Sequence, residues 1–134
     1  MSGLVLKLGP KERVLINGAM VENGDRRSKI SIKTPNANIL RLRDAIQPED
    51  AKTPVRQACF AVQLVLSGDS DPEEARCANL RQIEQLIEMF RDAESREYLK
   101  KASEALRADQ HYKCLKMLKL LIPLEDKILG TATH

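Results

Sequence analysis

Nine of the first 48 residues are Lys or Arg, against four Asp or Glu, whereas residues 49–134 carry thirteen and fifteen. The cations of the first stretch alternate with apolar residues. Lys29 and Lys33 flank Ile30 and Ile32, Arg41 and Arg43 interleave with Leu40 and Leu42, and Lys7 sits within the row Leu4, Leu6, Leu8. On an extended strand neighbours point to opposite faces, so each set of cations lies opposite its apolar row. Arg26 and Arg27 fall between two such runs. If these strands share one sheet, its outer face is basic, with Arg41 and Arg43 side by side about 7 Å apart. Guanidinium forks at that spacing suit phosphate oxygens. A solvated outer face shows the same alternation, so the charge asymmetry is what favours an anionic partner. Residues 1–59 contain no Phe, Tyr, Trp or His. A surface without aromatic rings cannot stack bases, so any nucleic-acid contact would run through Arg, loops and the backbone.

Nothing in the chain points to catalysis. There is no phosphate loop, dinucleotide fingerprint or nucleophile elbow, and the chain is not expected to be an enzyme. The two histidines are His111 and His134. His111 and Cys114 stand three apart on a helical stretch and supply half of a metal site at most. Structural zinc takes four ligands, usually in paired spacings, so no metal or cofactor is expected. The three cysteines, Cys59, Cys77 and Cys114, are widely spaced and read as small buried apolar residues of a reducing compartment. Lys113, Lys116 and Lys119 form a narrow polar stripe on an otherwise apolar helix. That helix either packs on two sides within its own bundle or offers one side to a partner protein or a second copy of the chain, and the first is favoured.

These residues need elements to hold them. Period-two runs at Leu4–Leu8, Val14–Ile16, Ala19–Val21, Ile30–Ile32 and Leu40–Leu42 are separated by Gly9-Pro10, Asn17-Gly18, Asn23-Gly24-Asp25 and Pro35-Asn36. They predict an antiparallel meander or small barrel of about five strands, with Asn17-Gly18 as a tight hairpin turn. From Pro54 the period changes to about 3.6. Residues 55–66 are apolar nearly all round and predict a buried helix with Phe60 in the core. Ser70-Asp71-Pro72-Glu73-Glu74 opens a second helix, a third follows around Tyr98–Leu106, and a fourth runs from about Gln110 to Leu121 and meets Pro123. The reading is an α+β chain: a basic β-strand module over residues 1–48, then a bundle of about four helices over residues 49–134. At 134 residues, with 43% hydrophobic and 31% charged residues, the chain is long enough for a core. It has no apolar run of membrane-spanning length and no secretory leader pattern, so a cytoplasmic protein off the membrane is expected. So small a sheet leaves edges to cover, and a homodimer is the expected assembly.

Three stretches carry a resemblance. Leu4-Val5-Leu6-Lys7-Leu8-Gly9-Pro10-Lys11-Glu12, Ile16-Asn17-Gly18 and Thr34-Pro35-Asn36-Ala37-Asn38-Ile39-Leu40-Arg41 resemble the flagellum biosynthesis repressor FlbT family, and Leu64-Val65-Leu66-Ser67-Gly68 and the helical tail fit as well. The resemblance implies a post-transcriptional regulator of flagellin synthesis that acts on the 5′ leader of flagellin messenger RNA and works with the small protein FlaF. The strand run is also similar to the carbon storage regulator family of small RNA-binding β dimers. That second similarity implies RNA contacts at Leu4, Lys7 and Arg43. The candidate RNA-contacting residues are thus Leu4, Lys7, Arg26, Arg27, Lys29, Lys33, Arg41 and Arg43. The candidate partner-contacting residues are Lys113, Lys116 and Lys119. The other reading is an adaptor or chaperone-like module working through its helices.

Overall fold

The computed structural model describes residues 4–35 and 37–130. Asn36, in the fourth of the expected turns, lies outside them. Five strands precede the helices: β1 (Leu4–Leu8), β2 (Arg13–Ile16), β3 (Ala19–Glu22), β4 (Ser28–Ile32) and β5 (Ile39–Arg41). They form two antiparallel sheets, β1-β4 and β3-β2-β5. The meander order is broken at its first step: β1 pairs with β4 and skips β2. The cause is the Gly9–Glu12 turn, where Lys11 adopts φ 59° and Glu12 N–H donates back to Gly9. That reversal lifts the chain out of the first sheet and into the second. Asn17-Gly18 makes the expected hairpin, with φ 49° and 85° at its two central residues. Asn17 also ties the hairpin to the neighbouring strand, because its Oδ1 accepts the Asn38 N–H at 2.9 Å.

The second sheet is the middle of three layers. On one face Val14, Ile16 and Ile39 meet Leu4, Leu6, Leu8, Ile30 and Ile32 of the first sheet in a small core. On the other face Leu15 and Leu40 join the helical core. Strand β5 is therefore covered on both sides, unlike a strand with one face to solvent. Its side chains still alternate, but neither direction is open water. Strand β3 is the opposite case: it is an edge strand, and all four of its residues are exposed.

The helices are α1 (Pro54–Leu66), α2 (Pro72–Met89), α3 (Ala93–Arg107), α4 (His111–Lys119) and α5 (Ile122–Leu129). Thr53, Asp71 and Asp92 cap the first three by accepting N–H bonds in the opening turn. Helices α1 to α4 close a ring in which α1 and α3 each contact α2 and α4. Pro123 does not end the bundle. It sits in the first turn of α5, where a missing N–H costs nothing. Helix α5 is fastened to the start of α1: the buried Glu125 Oε2 accepts the Val55 N–H at 2.7 Å, and Arg56 grips Asp126 through two bonds of 2.6 and 3.0 Å.

Phe60 is only half-buried and lies outside the main core cluster; the fully buried aromatic is Phe90. An evenly apolar helix such as α1 does not reveal in its sequence which flank stays partly open. Cys59 and Cys114 are buried, as read, whereas Cys77 is exposed on α2. No helix among the described residues is long and apolar enough to cross a membrane.

Candidate nucleic-acid interface

The site is built on the outer face of the β1-β4 sheet. The antiparallel register puts Lys7 directly across from Lys29, so their Cβ atoms stand about 5 Å apart on one face. The next contribution comes from the turn ahead of β4. Asn23 holds that turn against the end of β1: its Nδ2 donates to the Gly9 carbonyl at 2.7 Å and to the Arg26 carbonyl at 2.9 Å, and its Oδ1 accepts from Ser28 Oγ at 2.7 Å. This brings Arg27 alongside Lys29. The last cation arrives from the far side, because the chain leaves β5 in a 3-10 turn, Leu42–Asp44, that carries Arg43. Lys7, Arg27, Lys29 and Arg43, with Leu8, Gly9, Pro10 and Ser28, line an open groove of about 640 Å³. No carboxylate is among the lining residues. Four cations around one concavity raise the local positive potential and concentrate anions there.

Glu12, which has no role in the sequence reading, and Arg41, expected there on the outer face, shape one side of the groove. Glu12 is 6% exposed at its side chain, and Arg41 14%. Arg41 Nε donates to Glu12 Oε2 at 2.7 Å, and Nη2 donates to Oε1 at 2.9 Å and to the Lys7 carbonyl at 2.6 Å. Oε1 also accepts the Gly9 N–H at 3.0 Å. The Arg41 fork pulls the Glu12 carboxyl down to about 2; burial opposes this, and the Gly9 N–H and the charges of Arg41 and Arg43 add to it.

Half of the expected RNA-contacting residues therefore come together, and half do not. Arg41 is not on an outer face. Its side chain points from β5 toward the first sheet and is taken up by Glu12 and Lys7. Arg43 does not share a strand face with it, since the strand ends at Arg41. Arg43 keeps 58% of its side chain exposed and makes only long contacts, 3.6 Å to Glu12 and 3.9 Å to Asp44. Leu4 faces the small core opposite Ile32. Lys33 follows the distal end of β4, about 13 Å along the strand from Lys29. Arg26 is exposed on the turn but is not part of the groove lining.

On α4, Lys119 Nζ bonds the Asp44 carbonyl, Lys116 lies 5.6 Å from the Tyr112 ring centre, and Lys113 is exposed. Cys114, Leu115 and Leu118 of the same helix are buried against α1 and α3, so its apolar width serves the bundle. Glu12 and Asn23 escaped the sequence reading because their partners lie 29 and 14 residues away. The one local signal was a Glu three residues after Gly9, placed to bond its N–H.

The fold and site define a small two-sheet α+β protein with a cationic groove whose lining holds no carboxylate. More particularly, the chain belongs to the FlbT family. The family model described as "Flagellar protein FlbT" matches residues 4–129. The chain is 36% identical over 128 residues to the probable flagellum biosynthesis repressor protein FlbT of Mesorhizobium japonicum, covering 95% of this chain and 85% of the relative. It is 31% identical over 127 residues to the protein of the same name from Caulobacter sp. strain K31, covering 95% and 96%. It is 30% identical over 127 residues to the flagellum biosynthesis repressor protein FlbT of Caulobacter vibrioides, covering 95% and 89%. No solved structure matches the chain.

Proposed function

We propose that this chain is a repressor in flagellum biogenesis that works by binding RNA, with the 5′ leader of flagellin messenger RNA as its target. The repressor role is supported by the names of the relatives. The RNA role is supported by one observation: Lys7, Arg27, Lys29 and Arg43 gather around a groove with no carboxylate in its lining. The groove has no aromatic ring on which bases could stack, and its four cations suit phosphate oxygens. Leader-RNA binding by filter retention tests the reading. Lys7→Ala with Lys29→Ala should weaken binding, whereas Lys113→Ala with Lys116→Ala should leave it unchanged. Equal affinity in the strand variant and the parent protein would refute it.

A second reading is favoured by a different surface. Leu120, Ile128 and Leu129 are 45%, 57% and 46% exposed on α5 and the turn before it, with Lys127 among them. Exposed apolar side chains of this kind suit a protein partner such as FlaF. Loss of FlaF binding in Leu120→Ser with Ile128→Ser, at unchanged RNA affinity, would support an adaptor role.

A further inference from the structure

Glu12 does not line the groove, yet it touches what shapes one side of it. Its Oε1 holds the Gly9 N–H, both of its oxygens take the Arg41 fork, and Arg43 Nη1 stands 3.6 Å away. Arg41 in turn reaches the Lys7 carbonyl. One carboxylate and one guanidinium thus join the strand that carries Lys7, the Gly9–Pro10 turn and the turn that carries Arg43. These segments belong to different sheets, and no strand ladder links them, since β1 pairs with β4 and β5 pairs with β2. A carboxylate beneath an anion site lowers the potential that draws the anion in, and burying it costs desolvation. Neither helps binding unless the geometry it imposes is what counts.

We propose that Glu12 and Arg41 are the positioning pair of the groove, fixing Lys7 and Arg43 relative to each other without touching the RNA. The proposal rests on the groove being the RNA site. Charge and positioning predict opposite signs for Glu12→Gln. On charge alone, removing an anion and freeing Arg41 would tighten RNA binding and steepen its salt dependence. Positioning predicts binding weaker by about tenfold, the worth of one charge-assisted contact. It also predicts a salt slope shallower by about 0.7, one phosphate contact on single-stranded RNA.

The experiment is a salt-titrated binding series with labelled flagellin leader RNA, on variants whose circular dichroism matches the parent. Arg43→Ala should cost affinity in the parent and almost nothing beside Glu12→Gln. Lys29→Ala should cost the same in both, because β4 lies outside the reach of the pair. General loosening of the fold would not single out Arg43. Arg41→Lys, which keeps the charge and loses the fork, should behave like Glu12→Gln and carries the test if the latter does not fold. Tighter binding by Glu12→Gln overturns the positioning role and leaves the groove standing. Parent-like binding by Lys7→Ala with Lys29→Ala overturns the groove, and with it this pair.

Discussion

The Glu12–Arg41 pair should make stability depend on pH in a way that one substitution removes. Glu12 titrates near 4.5 in an unfolded chain and at about 2 in the fold, because the Arg41 fork favours its ionised form. A carboxyl lowered by folding stabilises the protein above its unfolded value, and that stabilisation is lost as pH falls through the folded value. The gap between the two values corresponds to a ceiling of about 3 kcal/mol at pH 7. Solvent near the open groove reduces the realised amount to about 2 kcal/mol. Linkage with these values leaves less than half of the pH 7 contribution at pH 3. The assay is urea denaturation of the parent and Glu12→Gln at pH 7, 5, 4 and 3. The difference in unfolding free energy should hold from pH 7 to 5 and then shrink steadily. A difference of the same size at pH 3 as at pH 7 would show that ionisation of Glu12 is not what binds the two sheets at this end.

Other outcomes follow from the same structure. Phe90→Ala should cost about 3–5 kcal/mol and Phe60→Ala under half of that, since only Phe90 is fully buried; chemical denaturation of the two variants gives the order directly. Glu125→Ala leaves the Val55 N–H without its acceptor and should cost about 2 kcal/mol, with limited proteolysis cutting α5 before the rest of the bundle. Self-association should start at the exposed edge strand β3, where Met20 is 53% exposed; light scattering should show a dimer that Met20→Lys with Val21→Lys returns to the monomer mass of 15.1 kDa.

Much of the scaffold was legible because its signals are local. The Leu4, Leu6, Leu8 alternation, the Asn17-Gly18 turn and the Asp71-Pro72 helix opening each depend on residues within a few positions of one another. The pairing of β1 was not legible, because the turn that diverts it from β2 depends on Lys11 taking φ 59°. Nothing in the residue type requires that conformation. Arg41 was misplaced for a related reason. Alternation says that Arg41 and Leu40 point in opposite directions, but not that a second sheet covers the Arg41 side. Arg43 was put on the strand because its spacing continues the pattern, while the backbone turns into a 3-10 helix at Leu42. It lines the groove from that turn and not from a strand face shared with Arg41. Pro123 was read as a stop, yet the same residue opens α5. Lys7 and Lys29 were read correctly as outward-facing, but their register, and so the groove, required knowing that β1 pairs with β4.

The proposed hold of Lys7, Arg27, Lys29 and Arg43 on RNA phosphates should show in the salt dependence of binding. Each phosphate contact on single-stranded RNA contributes about 0.7 to the slope of log affinity against log salt. Removing Lys7, Arg27, Lys29 and Arg43 together should lower the slope for flagellin leader RNA by about 2.8, while circular dichroism stays that of the parent. A slope unchanged in that fourfold variant would contradict the account and place the RNA, if it binds at all, on another surface.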